Sequence, residues 1–189
     1  MTTPPTTTTT QTSTEKDAKE QPWHAFFPAP RTTHPKVVKR EDVLAMLKSG
    51  TTDRPGRDFL LVDVRRNDHE GGTIRSSLNL PAQSLYHGIP TLYALATAAS
   101  VPLVVFYCGS CNGRGPRAAG WFADYIDDQA RTRTQDSTDG ETAPQVQQVQ
   151  MQSAILEGGI KGWVAGGEEY VKLVDGFERE VWEKTKTTK

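Results

Sequence analysis

The residues best suited to chemistry lie in one stretch, Tyr107-Cys108-Gly109-Ser110-Cys111-Asn112-Gly113-Arg114-Gly115-Pro116-Arg117. A cysteine and an arginine separated by a glycine-rich run fit a thiolate seated in an anion-binding loop. Helix-terminal N–H groups and an adjacent guanidinium both favour the thiolate, lowering a cysteine pKa into the range ~3.5–7.5. Gly109, Gly113 and Gly115 let the backbone turn tightly and aim successive N–H groups at one point, a nest for an anion. Arg114 adds a planar fork of donors matched to a tetrahedral oxyanion. Pro116 suits the first turn of a helix, where its missing N–H removes no bond. Cys108 is therefore the candidate nucleophile and Arg114 the candidate oxyanion-binding residue. The backbone of Gly109, Ser110, Cys111, Asn112 and Gly113 forms the expected cradle. An unpaired cysteine is more often a small buried hydrophobe; the glycines and the arginine set Cys108 apart.

Other residues invite chemical readings with plainer alternatives. Cys111 is either a resolving thiol that forms a disulfide with Cys108 or a small loop residue facing away. Asp63 and Arg65, at the end of an apolar strand, could be a general acid and a phosphate ligand. Structural support is the stronger reading, since buried carboxylates need partners. Glu70 is similar, an acid candidate better read as a partner for backbone or Arg65. Ser110 and Asn112 are either side-chain donors to the anion or simply solvated loop residues. Arg117 either extends the positive site or lies on the helix surface. His69 and His87 lack ligand spacing, so no metal site is read. Trp163 with Gly158 and Gly159 reads as packing and turn chemistry.

The elements that must position these residues follow from periodicity. Glu41 to Ser49 carries apolar Val43, Leu44, Met46 and Leu47 on one helical face, with Gly50 as the stop. Phe59 to Val64 and Val101 to Tyr107 are continuous apolar runs, the mark of strands buried on both faces. Leu78 to Leu80 is a short strand. Helices are expected over Thr91 to Ala99 and from Arg114 to about Gln129, the latter with Ala118, Trp121, Phe122, Tyr125 and Ile126 inward. A last strand falls near Val149 to Leu156, a helix opens at Gly159, and an amphipathic helix spans Asp175 to Trp182. Strands alternating with helices predict an α/β fold, a parallel sheet with helices on both faces. Cys108 then sits at a strand's carboxyl end before a helix, where such sheets collect ligands.

Three stretches divide the chain. Residues 1–21 form a Thr-rich tail, expected to be disordered or else phosphorylated or O-glycosylated. Residues 22–36 form an arm with Trp23, Phe26 and Phe27, and 37–189 the catalytic domain, with 131–147 as a mobile surface insertion. The 189 residues suffice for one core, and the formal net charge of -1 gives no field to draw the chain onto nucleic acid or an acidic membrane. No apolar run spans a bilayer, and the two cysteines make no secreted disulfide framework. A cytoplasmic or nuclear protein is expected.

These residues resemble the rhodanese superfamily, in its branch of cell-division-cycle dual-specificity phosphatases and eukaryotic arsenate reductases. Leu61 to Leu80 (LVDVRRNDHEGGTIRSSLNL) is similar to the superfamily's early signature. Cys108 through Arg114-Gly115-Pro116-Arg117 resembles the phosphatase and reductase loop, and Ile155 to Gly166 (ILEGGIKGWVAG) the closing Gly-Gly-x-x-x-Trp element. The resemblance implies a five-stranded parallel sheet, Cys108 as nucleophile and Arg114 as oxyanion binder. Sulfurtransferases of this type usually have a loop one residue shorter, so the longer Cys-x5-Arg form implies arsenate or phosphate chemistry. For a reductase it implies glutathione or glutaredoxin as reductant, with no bound cofactor, and Cys111 would suit the two-electron turnover. The implied substrate is a small oxyanion or a phosphoprotein. A thiosulfate-type sulfurtransferase working through a Cys108 persulfide, and a non-catalytic rhodanese-like module, remain alternatives. Two positions depart from the pattern: Tyr107 stands where the phosphatases have His, and Thr73 stands in a usual Gly-His-Ile.

Overall fold

The computed structural model describes residues 21–49, 55–136 and 150–187. Gly50, most of the Thr-rich tail and the greater part of the expected insertion lie outside them. Along the chain come β1 (Lys36–Val38), α1 (Arg40–Ser49), β2 (Leu60–Asp63), β3 (Thr73–Ile74), β4 (Ser77–Asn79), α2 (Ala82–Ala98) and β5 (Leu103–Tyr107). After them follow α3 (Arg114–Asp136), β6 (Gln152–Leu156), α4 (Gly159–Val164), α5 (Glu168–Val171), β7 (Val174–Asp175) and α6 (Arg179–Thr187).

Five strands form one parallel sheet in the order β1-β6-β5-β2-β4. Every residue of β2 is buried, as are Val104 to Tyr107 of β5, so both faces of the central sheet are covered. The path from β1 to β2 travels one way across the sheet; those from β4 to β5 and from β5 to β6 travel the other. With the right-handed crossover that parallel strands adopt, α1 lies on one face and α2 with α3 on the opposite one. β2 and β5 are neighbours whose outgoing chains diverge. That divergence opens the crevice in which open α/β sheets bind ligands, and Cys108 follows directly on β5.

Three expectations need correction. The helix read over Thr91 to Ala99 begins at Ala82 and includes Gly88 and Pro90. Both residues look like breakers, yet the buried stripe Ala82, Leu85, Ile89, Leu92, Ala96 runs through them at helical spacing. Packing of that stripe outweighs the backbone bond lost at Pro90. The helix from Arg114 continues to Asp136, so 131–136 are helical rather than part of a loop insertion. The last helix starts at Arg179, not Asp175, because Val174 and Asp175 pair antiparallel with Ile74 and Thr73. Gly176, at φ +69°, then breaks the chain between strand and helix. In the arm, Trp23 and Phe27 pack edge-on against Trp121 whereas Phe26 is exposed. Trp121 Nε1 donates to Pro28 O at 2.8 Å, and Arg31 bonds Asp124 and Asp128 of α3.

Candidate active site

The chain leaves β5 at Tyr107 and enters α3 at Arg114, and the intervening turn closes around the Cys108 sulfur. Cys108 is 4% exposed and Cys111 5%. Cys111 adopts φ +57°, a left-handed conformation rare for a residue with a side chain, and its buried thiol turns inward, donating to Phe106 O at 3.7 Å. The Cys108 thiol is held down to about 6. The largest cause is the neighbouring Cys111 thiol; the amides of Gly115 and Cys111 and the charge of Arg114 act with it, against burial. Cys111 is pushed up by its neighbour Cys108 and by burial. Two neighbouring sulfurs are thus set apart, Cys108 favoured as the thiolate and Cys111 as the thiol.

Gly115 makes room for the pair. A Cβ there would stand 2.6 Å from Cys111 Sγ and 3.7 Å from Cys108 Sγ. The closing glycines hold the loop from the other side. Ile160 N donates to Cys108 O at 3.0 Å and Lys161 N to Gly109 O at 2.9 Å. A Cβ on Gly159 would lie 2.3 Å from Cys108 O, so α4 reaches the loop only because this residue is glycine. Gly159 is therefore part of the loop's support, beyond turn chemistry, whereas Gly158 stands against Gly162 of α4. Lys161 arches over Gly109, its Cε 3.8 Å from where a Cβ would be. Ser110, Asn112 and Gly113 line the exposed rim.

Asp68 is the neighbour that spacing did not reveal. Its carboxylate grips Arg114 through Nη1 at 2.6 Å and Nη2 at 2.5 Å, and the Arg114 guanidinium holds Asp68 down to about 2. Asp68 lies in the loop after β2, and only the β2–β5 pairing brings it to Cys108's side of the sheet. That register is invisible in a single sequence.

Asp63 and Arg65 meet as a buried pair at 2.7 Å. Arg65 also donates to the carbonyls of Asp68 (3.1 Å), Glu70 (3.4 Å) and Gly72 (2.6 Å), fixing the path of the loop that carries Asp68. Glu70 contributes its carbonyl to this arrangement; its carboxylate is exposed. His69 Nε2 is buried 3.6 Å from Asp63 Oδ2, whereas His87 stands against Phe27 and Tyr86 in the arm contact. Arg117 lies over the Trp121 ring, 5.9 Å from its centroid, along the helix. Among the described residues no three His, Cys, Asp or Glu side chains converge as metal ligands.

No family model and no curated protein sequence matches the chain. Solved structures do. Yeast Ygr203w, described as a protein tyrosine phosphatase of the rhodanese family, superposes with a TM-score of 0.56 at 21% identity, over 79% of this chain and 98% of that one. A second structure of Saccharomyces cerevisiae Ygr203w, described as a homologue of single-domain rhodanese and the Cdc25 phosphatase catalytic domain, gives 0.52 at 21% identity, over 78% and 91%. The fold is rhodanese-like. The As-Sb reductase of Leishmania major matches at 0.47 and 22% identity, over 67% of this chain and 74% of that one.

The two departures from the rhodanese-branch pattern touch each other. The Tyr107 hydroxyl lies 2.7 Å from Thr73 Oγ1, donates to Ser77 Oγ at 2.8 Å and accepts from Ile74 N at 3.1 Å. Thr73 in turn donates to Asp63 Oδ2 at 3.1 Å. Tyr107 and Thr73 are thus one buried network under the rhodanese-like loop, and burial pushes the phenol up, away from ionisation. Among the described residues no helix is long and apolar enough to cross a membrane.

Proposed function

We propose that the chain is a cysteine-dependent enzyme that reduces a tetrahedral oxyanion of the arsenate type at the expense of thiols. The observation that carries this reading is the pair of free, buried thiols, Cys108 and Cys111, packed side by side on Gly115 inside a loop whose last residue is Arg114. The Cys108 thiolate attacks dihydrogen arsenate and forms a sulfur–arsenic bond, and one oxygen leaves as water with both of the arsenate's own protons. Cys111 then attacks the Cys108 sulfur, its proton passing to the departing arsenite. The sulfur–arsenic pair of electrons stays on arsenic, so As(V) becomes As(III) and the two cysteines become a disulfide. Arsenite leaves, and two glutathiones, or a glutaredoxin acting for them, restore both thiols.

Phosphoester hydrolysis shares the first step and is the second reading. It needs a proton donor for the leaving hydroxyl. Asp68, the carboxylate joined to Arg114, is held ionised and is unsuited to that task. Sulfur transfer through a Cys108 persulfide has no use for a second thiol against the sulfur that must carry it. The test is one preparation assayed with arsenate plus glutathione, with an aryl phosphate, and with thiosulfate plus cyanide. The reading expects arsenate to be the best substrate and Cys108→Ser to abolish its reduction. A wild-type protein that turns over only the phosphate or only thiosulfate contradicts it.

A further inference from the structure

The pairing of Arg114 with Asp68 uses the end of the guanidinium. Nη1 meets one carboxylate oxygen and Nη2 the other. Each contact takes one hydrogen, so among the described residues the parallel Nε–H and second Nη2–H remain available. That edge is the one a planar guanidinium offers to a second bidentate anion. Arg114 is 24% exposed at its side chain and Asp68 49%. A long side chain at such exposure would otherwise sample many rotamers. Asp68 itself is fixed from behind, since its carbonyl accepts from Arg65, which is anchored on buried Asp63. A rigid chain therefore runs from the buried Asp63–Arg65 pair through the Asp68 loop to the tip of Arg114.

We propose that Asp68 is the positioning residue of the oxyanion site, holding Arg114 by its far end so that its Nε–Nη2 edge is presented to the substrate. This rests on the reading of Cys108 to Arg114 as an oxyanion loop. The substrate does not displace Asp68; carboxylate and oxyanion share one guanidinium on different edges. Asp68 touches neither substrate nor sulfur, and acts only through Arg114.

The test reads oxyanion binding rather than turnover. Intact protein is alkylated at Cys108 with neutral iodoacetamide, and inorganic phosphate or arsenate is titrated as a protecting ligand. Wild-type protein, Asp68→Asn, Asp68→Glu and Arg114→Ala are compared, each with a thermal melt. For Asp68→Asn the half-protecting concentration is expected to rise about tenfold, the scale of one lost charge-assisted contact. The melting point and the unprotected alkylation rate should change little, and Asp68→Glu should recover part of the protection. A purely structural role would lower the melt and leave protection in the folded fraction unchanged. Unchanged or tighter protection in Asp68→Asn, whatever its melt, overturns the proposal. Should the wild type itself show no protection, or Arg114→Ala lose none, the oxyanion-loop reading fails instead.

Discussion

At the scale of single residues, reactivity rests on which of two neighbouring sulfurs ionises. The Cys108 pKa of about 6 sets a sign that is easily checked. Below it the sulfur is protonated and inert; above it the thiolate population saturates. The iodoacetamide rate at Cys108 should therefore rise through a midpoint near pH 6 and level off by neutral pH. Cys111→Ser replaces the thiol that makes the largest lowering contribution, so its midpoint should move upward, toward that of an ordinary thiol, and the rate at pH 6 should fall. An unmoved midpoint would show that Gly115, the Cys111 amide and Arg114 suffice. The tyrosine beneath the loop is open to a stability measurement. Tyr107→Phe leaves Ser77 Oγ and the Ile74 amide without their buried partner, a loss of about 1–3 kcal/mol in urea denaturation. The change in Thr73→Val should not add to it, because the two hydroxyls share one network.

At the scale of elements, the loop is held by what packs on it. Gly159→Ala introduces a side chain at φ +57° and 2.3 Å from the Cys108 carbonyl. It should lower stability by at least ~2 kcal/mol and slow Cys108 alkylation at neutral pH, since α4 can no longer brace the loop. Full retention of both properties would remove α4 from the account. The elements differ in how clearly the chain announces them. β2 and β5 are covered on both faces, so their residues must be apolar without interruption, and such runs are conspicuous. β1, with two of three residues exposed, and the two-residue β3 and β7 satisfy no such requirement and leave no pattern. α2 was only half legible because Gly88 and Pro90 mask a stripe that tertiary packing enforces. Within the site, Cys108 and Arg114 stand on one turn and are readable from spacing. Asp68 joins them through a strand register, and Gly159 through a helix that arrives 51 positions after Cys108 in the numbering; neither is encoded locally.

At the scale of the whole molecule, the divergence of chains at β2 and β5 brings these parts to one crevice, and the N-terminal arm packs on the helix that leaves it. Trp23, Phe27 and Pro28 cover Trp121 on α3. Removing residues 1–30 should lower stability by about 2–4 kcal/mol, the scale of burying two aromatic side chains, and shift the tryptophan emission to the red. A truncated chain that melts with the full one would mean that the arm adds nothing to the core. The most direct test of the account as a whole is a single turnover of fully reduced protein with arsenate and no added thiol, following protein thiols and arsenite together. The account predicts that each molecule forms one arsenite and loses both thiols as a Cys108–Cys111 disulfide, and that Cys111→Ser forms none until glutathione is supplied. Arsenite formation by Cys111→Ser at the wild-type yield, or no thiol loss in the wild type, would contradict it.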